Sequence, residues 1–148
     1  MTKRIFSLVL LLSLLMTGCS KTWVDRMVSE IETAYHDTKR MEDRTKATTL
    51  VAEKYFTPEM SGAEVAPLLY DLRAYGFRVV EERGKWSDGG FNPYTDRDIP
   101  QGVTRISMTK KYRRVNINVL RHLVISFVIK DADDRVSDVN AVLSFTSP

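Results

Sequence analysis

The sequence predicts an α+β domain in which N-terminal helices pack on one face of a three- to four-stranded antiparallel sheet. Three observations carry this expectation. From Lys21 to Thr57 there is neither Gly nor Pro, and the apolar residues fall at helical spacing. From Ser61 to Phe77 a second helical unit is bracketed by a start and a stop signal. From Val103 onward the apolar period changes to two, the period of strands with one buried face.

Met1 to Ser20 precede this domain. Lys3 and Arg4 form a positive n-region, Ile5 through Met16 carry no charge, and the small residues Thr17 and Gly18 follow, the layout of a secretory signal. A membrane-spanning helix needs about 20 apolar residues, and here Lys21, Asp25 and Arg26 soon follow the run. A buried amphipathic helix holding a free thiol is the bland alternative. Cys19 is the only cysteine of the 148 residues, so it has no disulfide partner within the chain.

In the first helical stretch Trp23, Met27, Ile31 and Ala34, then Ala47, Leu50, Val51 and Tyr55, mark apolar faces, and Thr22 with Asp25 can cap the start. His36 to Lys46 is mostly polar. Residues 22–57 therefore read as one long helix with a solvated middle or as two helices with a polar break, and the break is favoured. Ser61-Gly62-Ala63-Glu64 is a capping box with Met60 and Val65 at the staple positions. Val65, Leu68, Leu69 and Leu72 draw one stripe, and Gly76-Phe77 reads as a Schellman stop. Pro67 is discordant, and a kink or restart is expected there.

Phe77 to Glu82 suggest a short strand. The connection 84–102 holds four glycines and two prolines, with Trp86, Phe91 and Tyr94 spread through it. Such long aperiodic loops are uncommon in compact domains and are often binding elements. The three aromatics either plug an edge of the core or contact a partner. Ile106 and Met108, then Val115, Ile117 and Val119, then Leu123, Ile125, Phe127 and Ile129, alternate with polar residues. A single strand over Val115–Lys130 would reach roughly 54 Å, so a break is expected near Leu120 to His122. Asp131-Ala132-Asp133-Asp134 closes a hairpin onto Val139, Ala141, Leu143 and Phe145, with Val136 out of phase and marking a bulge.

Charge excludes a simple nucleic-acid reading. Residues 1–18 contain two of the 22 bases and none of the 19 acids, so a chain cleaved after Gly18 is nearly neutral. His36 and His122 lie in no nucleophile or metal motif, and a hydrolase using His122 is the remotest reading. Asp131, Asp133, Asp134 and Asp138 lack the glycine and closing glutamate of a calcium loop, which favours a solvated turn. No cofactor and no metal are expected. Lys110, Lys111, Arg113 and Arg114, with Arg121 nearby, form the densest basic region, either a contact for an anionic surface or a balanced polar turn.

Met16-Thr17-Gly18-Cys19 resembles the lipobox of bacterial lipoproteins. The resemblance implies cleavage before Cys19, acylation of its thiol and new amino terminus, and a lipidated N-terminus over 19–21; the length that remains suits a single domain over 22–148. With Ser20 after the cysteine it also implies the outer membrane, with the domain facing the periplasm. Tyr55-Phe56-Thr57-Pro58-Glu59-Met60-Ser61, leading into Glu64-Val65 and Leu68-Leu69, is similar to the SmpA/OmlA family, the BamE component of the β-barrel assembly machinery, over Val51–Phe77 and Val124–Phe145. Glu59 stands where that family has glycine. The functional expectation is a non-catalytic, membrane-anchored accessory that binds an envelope protein. The alternative is an inhibitor or immunity lipoprotein that captures an envelope-active protein through residues 86–94.

Overall fold

A computed structural model of the chain describes residues 22–84, 99, 102–113 and 119–146. Three helices, α1 (Trp23–Asp37), α2 (Met41–Tyr55) and α3 (Gly62–Ala74), precede four strands, β1 (Arg78–Arg83), β2 (Val103–Arg113), β3 (Leu120–Lys130) and β4 (Arg135–Thr146). The strands form one antiparallel sheet in the order β1-β2-β3-β4. The helices pack on one face of it, as the sequence predicts.

Each helix begins and ends where its local chemistry requires. Thr22 and Asp25 form a reciprocal capping box on α1, as do Ser61 and Glu64 on α3. The hydrogen bonds from Ser61 hold the Glu64 carboxyl below the usual range. The polar break between α1 and α2 is three residues long, Thr38 to Arg40. Helix α3 closes on Gly76 at φ 99°, with the Phe77 amide donating to the Leu72 carbonyl at 2.9 Å and the Gly76 amide to that of Arg73 at 3.0 Å. Only glycine enters that left-handed conformation without steric cost. Pro67 does not make the helix restart: α3 is continuous through it. Pro67 and Ala63, whose carbonyl loses its partner, are both exposed, while Val65, Leu69 and Leu72 pack both halves onto the core.

The core lies between the helices and the inner face of the sheet. Val24, Met27, Val28 and Ile31 from α1, Val51, Ala52 and Phe56 from the second helical segment, and Val65, Leu69 and Leu72 from α3 meet Ile106, Met108, Leu123, Ile125, Phe127, Ala141 and Leu143. Phe56 stacks on Phe127 with ring centroids 5.0 Å apart. One strand boundary needs correction. No break occurs over Leu120 to His122, because β3 starts at Leu120 and pairs continuously with β2, Arg121 opposite Tyr112 and His122 opposite Lys111. Val119 precedes the strand, and Val115 and Ile117 lie outside the described residues. The bulge predicted on β4 falls between the pairs Ser126–Asn140 and Val128–Ser137, where Asp138 takes φ 51°. It reverses the inward phase, so that Val136 and Ala141 both face the core.

The last strand is an edge, and α2 covers it. The Thr48 hydroxyl donates to the Ala141 carbonyl at 2.5 Å, and the Ala141 amide donates to Thr49 Oγ1 at 3.0 Å. Two adjacent threonines thus occupy backbone groups that a free edge offers to another chain. The opposite edge, β1, is six residues long and mostly charged, a second way of discouraging strand addition.

Candidate functional site

The sequence-predicted site residues divide into three groups. Cys19, Trp86, Phe91, Tyr94 and Arg114 lie outside the described residues. Lys111 and Arg113 are exposed on the face of the sheet opposite the helices. Lys110 and Arg121 face inward, so the basic region is not one surface patch. The reason is strand parity: Lys110 shares the phase of Ile106 and Met108, and Arg121 shares that of Leu123, Ile125 and Phe127. The two histidines fall on opposite sides of the sheet. His36 stands at the end of α1 with its ring 5.8 Å from Phe145, while His122 lies near the start of β3 on the outer face opposite Lys111 and Ser144.

Arg121 is buried against Glu32 of α1, each side chain 6% exposed, with Nη1 3.3 Å from Oε1. That nitrogen and Nε have no aligned hydrogen-bond acceptor, so the contact is chiefly electrostatic. Tyr112 on β2 donates its hydroxyl to the same Glu32 oxygen at 2.8 Å. The guanidinium carbon lies 5.7 Å from the Phe145 ring centroid. A buried guanidinium needs a neutralising carboxylate, and here the pair ties α1 to β2 and β3.

Lys110 belongs to a second assembly, at the start of α1. Its ammonium donates to the Tyr75 carbonyl and lies 3.9 Å from the Tyr75 ring centroid. Burial lowers its pKa, and the Asp25 charge partly offsets this. The Tyr75 hydroxyl donates to Asp25 Oδ1 at 2.6 Å, and this hydrogen bond, ahead of burial and the Asp25 charge, pushes the phenol up to about 12. Trp23 donates its indole N–H to Asp71 Oδ2 at 2.8 Å. Thr22, Trp23, Val24, Asp71, Ala74 and Tyr75 line a mostly apolar open cleft of about 430 Å³. The N-terminus of α1, the C-terminus of α3 and the middle of β2 are therefore joined at one corner of the fold.

The four turn aspartates do not converge. Asp131 pairs with Arg83 at 2.7 Å, Asp133 accepts from the Arg135 amide at 3.3 Å, and Asp134 accepts from the Gly62 amide at the start of α3 at 3.1 Å. Among the described residues no three His, Cys, Asp or Glu side chains are grouped to hold a metal ion. No helix among the described residues is long and apolar enough to cross a membrane.

Sequence reasoning missed Glu32, Tyr112 and the Asp25–Tyr75–Lys110 link. Parity alone could have placed Lys110 and Arg121 inside, and Glu32 follows Ile31 on the apolar stripe of α1. Their partners, 35 to 89 positions away along the chain, leave no local signal. Searches against family models, curated proteins and solved structures find no match to the chain.

Proposed function

We propose that the chain is a lipid-anchored lipoprotein of the bacterial outer membrane, facing the periplasm, which binds an envelope protein as a non-catalytic assembly accessory. The observation that carries this reading is Cys19 in its lipobox, only three positions before the Thr22 cap of α1. Two or more acyl chains at about 0.8 kcal/mol per buried CH₂ make such an anchor effectively stable. With only two residues between Cys19 and the cap, the domain works at the bilayer rather than at the end of a long tether.

The sheet supplies surface for a partner. Val80, Val124, Val128 and Val142 are half-buried on the face opposite the helices, and among the described residues no helix covers them. Membership of the SmpA/OmlA family is part of the proposal and would place the partner in the machinery that assembles outer-membrane barrels.

Intact mass spectrometry of the membrane-extracted protein tests the anchor. The expected result is a chain beginning at Cys19 and carrying acyl groups, with Cys19→Ser unacylated; a wild-type chain without acyl mass overturns it. Crosslinking in intact envelopes tests the accessory role. A recurring resident partner of an assembly complex is expected. Recovery of only an incoming envelope-active protein, lost on Trp86→Ala, would replace this role by the inhibitor reading.

A further inference from the structure

Three exposed basic residues lie at the end of the sheet nearest the start of α1, on the face opposite the helices. Arg78 pairs with Thr109 across β1 and β2, which puts it diagonally beside Lys111 at roughly 7 Å, and Arg113 follows two positions along the same face. All three are exposed and have no ion-pair partner among the described residues. Three residues before Arg78 stands Tyr75, bonded to Asp25 of α1 and to Lys110, the neighbour of Lys111. On the helix side of the same end of the sheet lies the open cleft that Trp23 helps to line.

Chain length restricts what this corner can face. Three peptide steps separate Cys19 from Thr22, so the acylated residue lies within about 11 Å of the cap. That is close to one Debye length, the range over which cations gain from anionic head groups. The acidic β3–β4 turn, Asp131 to Asp134, starts seven residues along β3 from Val124, in the row of Thr109 and Arg78, and eleven from Leu120, in that of Arg113, roughly 24 to 37 Å away.

We infer that the domain docks in one orientation on an anionic bilayer, with Arg78, Lys111 and Arg113 on lipid phosphates and the Trp23 cleft at head-group level. The acidic turn then points away from the membrane. Trp23 suits that depth, since tryptophan, with its large apolar indole, is enriched at bilayer interfaces, and its N–H is already satisfied by Asp71. Docking confines the domain, and the sheet surface it offers a partner, to a fixed angle instead of letting it swing about Cys19. The inference rests on the lipid-anchor reading for its geometry.

The test uses the full acylated protein carrying Trp86→Phe, so that Trp23 is the only indole. It is reconstituted in vesicles of phosphatidylcholine alone or with phosphatidylglycerol, with a fraction of the lipid brominated near the head group. Strong quenching of Trp23 is expected in the anionic vesicles, falling with added salt. The triple variant Arg78→Gln, Lys111→Gln, Arg113→Gln loses about fivefold in the docked-to-undocked ratio per charge removed. Lys39→Gln, Arg40→Gln, Lys130→Gln, which removes three exposed charges elsewhere, leaves quenching unchanged. Quenching that is equal in both lipids, or equally reduced by both triple variants, overturns the inference. Intact mass of the same sample separates this from failure of the anchor: if Cys19 is not acylated, docking stands only if the protein sediments with phosphatidylglycerol vesicles and not with phosphatidylcholine.

Discussion

Lys110 and Lys111 are neighbours on one strand with opposite fates, and the two faces of the sheet differ in the same way. The inner face carries Ile106, Met108, Leu123, Ile125 and Phe127, and where a cation intrudes it is engaged, Arg121 by Glu32 and Lys110 by Tyr75. The outer face carries half-buried valines with Arg78, Lys111 and Arg113, which no described acid neutralises. A buried charge without its partner is expensive, whereas an exposed one is solvated at little cost. Basic residues on the inner face therefore serve the fold, and those on the outer face are free to serve an encounter.

The sharpest way to break this contrast is on the inner face. Glu32→Ala leaves the Arg121 guanidinium buried with its charge uncompensated, and a loss of about 3–5 kcal/mol is expected from urea unfolding. Replacing Glu32 and Arg121 together by Met should cost much less than the two single changes summed, since no lone charge remains. Phe127→Ala removes the ring stacked on Phe56 and should cost about 3–5 kcal/mol through the cavity it leaves. A double cost no smaller than that sum would show that the ion pair is not the coupling between α1 and the sheet.

Smaller effects are expected at the covered edge and the anchor corner. Thr48→Val keeps the shape but removes the hydroxyl that meets the Ala141 carbonyl, a loss of about 1 kcal/mol. Melting temperatures against pH test Tyr75. Its phenol is raised from 10.0 unfolded to about 12 folded, so the native state holds the proton more tightly. That stabilisation is complete below about pH 10 and is lost as pH rises through about 12. Tyr75→Phe should remove this part of the alkaline slope, and an unchanged slope would place the phenol outside the Asp25 link. The smallest effect belongs to the outer face, where Lys111→Gln should alter stability by no more than about 0.5 kcal/mol.

Much of the fold was legible locally. Both capping boxes, the Gly76 stop, the short break between α1 and α2, the acidic hairpin turn and the β4 bulge all follow from spacings of a few residues. Less of the candidate site was legible. The break expected near Leu120 to His122 followed from strand length alone, and it misplaced the start of β3, because Arg121 continues the strand inward with its charge met by Glu32, far away in the chain. Pro67 misled for a similar reason, since packing on both sides of it holds α3 together.

By itself the sequence determined the type of each element and the capped ends of the helices, because hydrophobic period, caps and left-handed residues act within one or two turns of the chain. Only the tertiary structure decided which of two adjacent lysines is inside, that Thr48 and Thr49 shield an edge strand, and that Arg78, Lys111 and Arg113 stand at the end of the sheet beside the start of α1. Those outcomes depend on which face of the sheet the helices cover, and that is set by contacts between residues tens of positions apart, to which local patterning is blind.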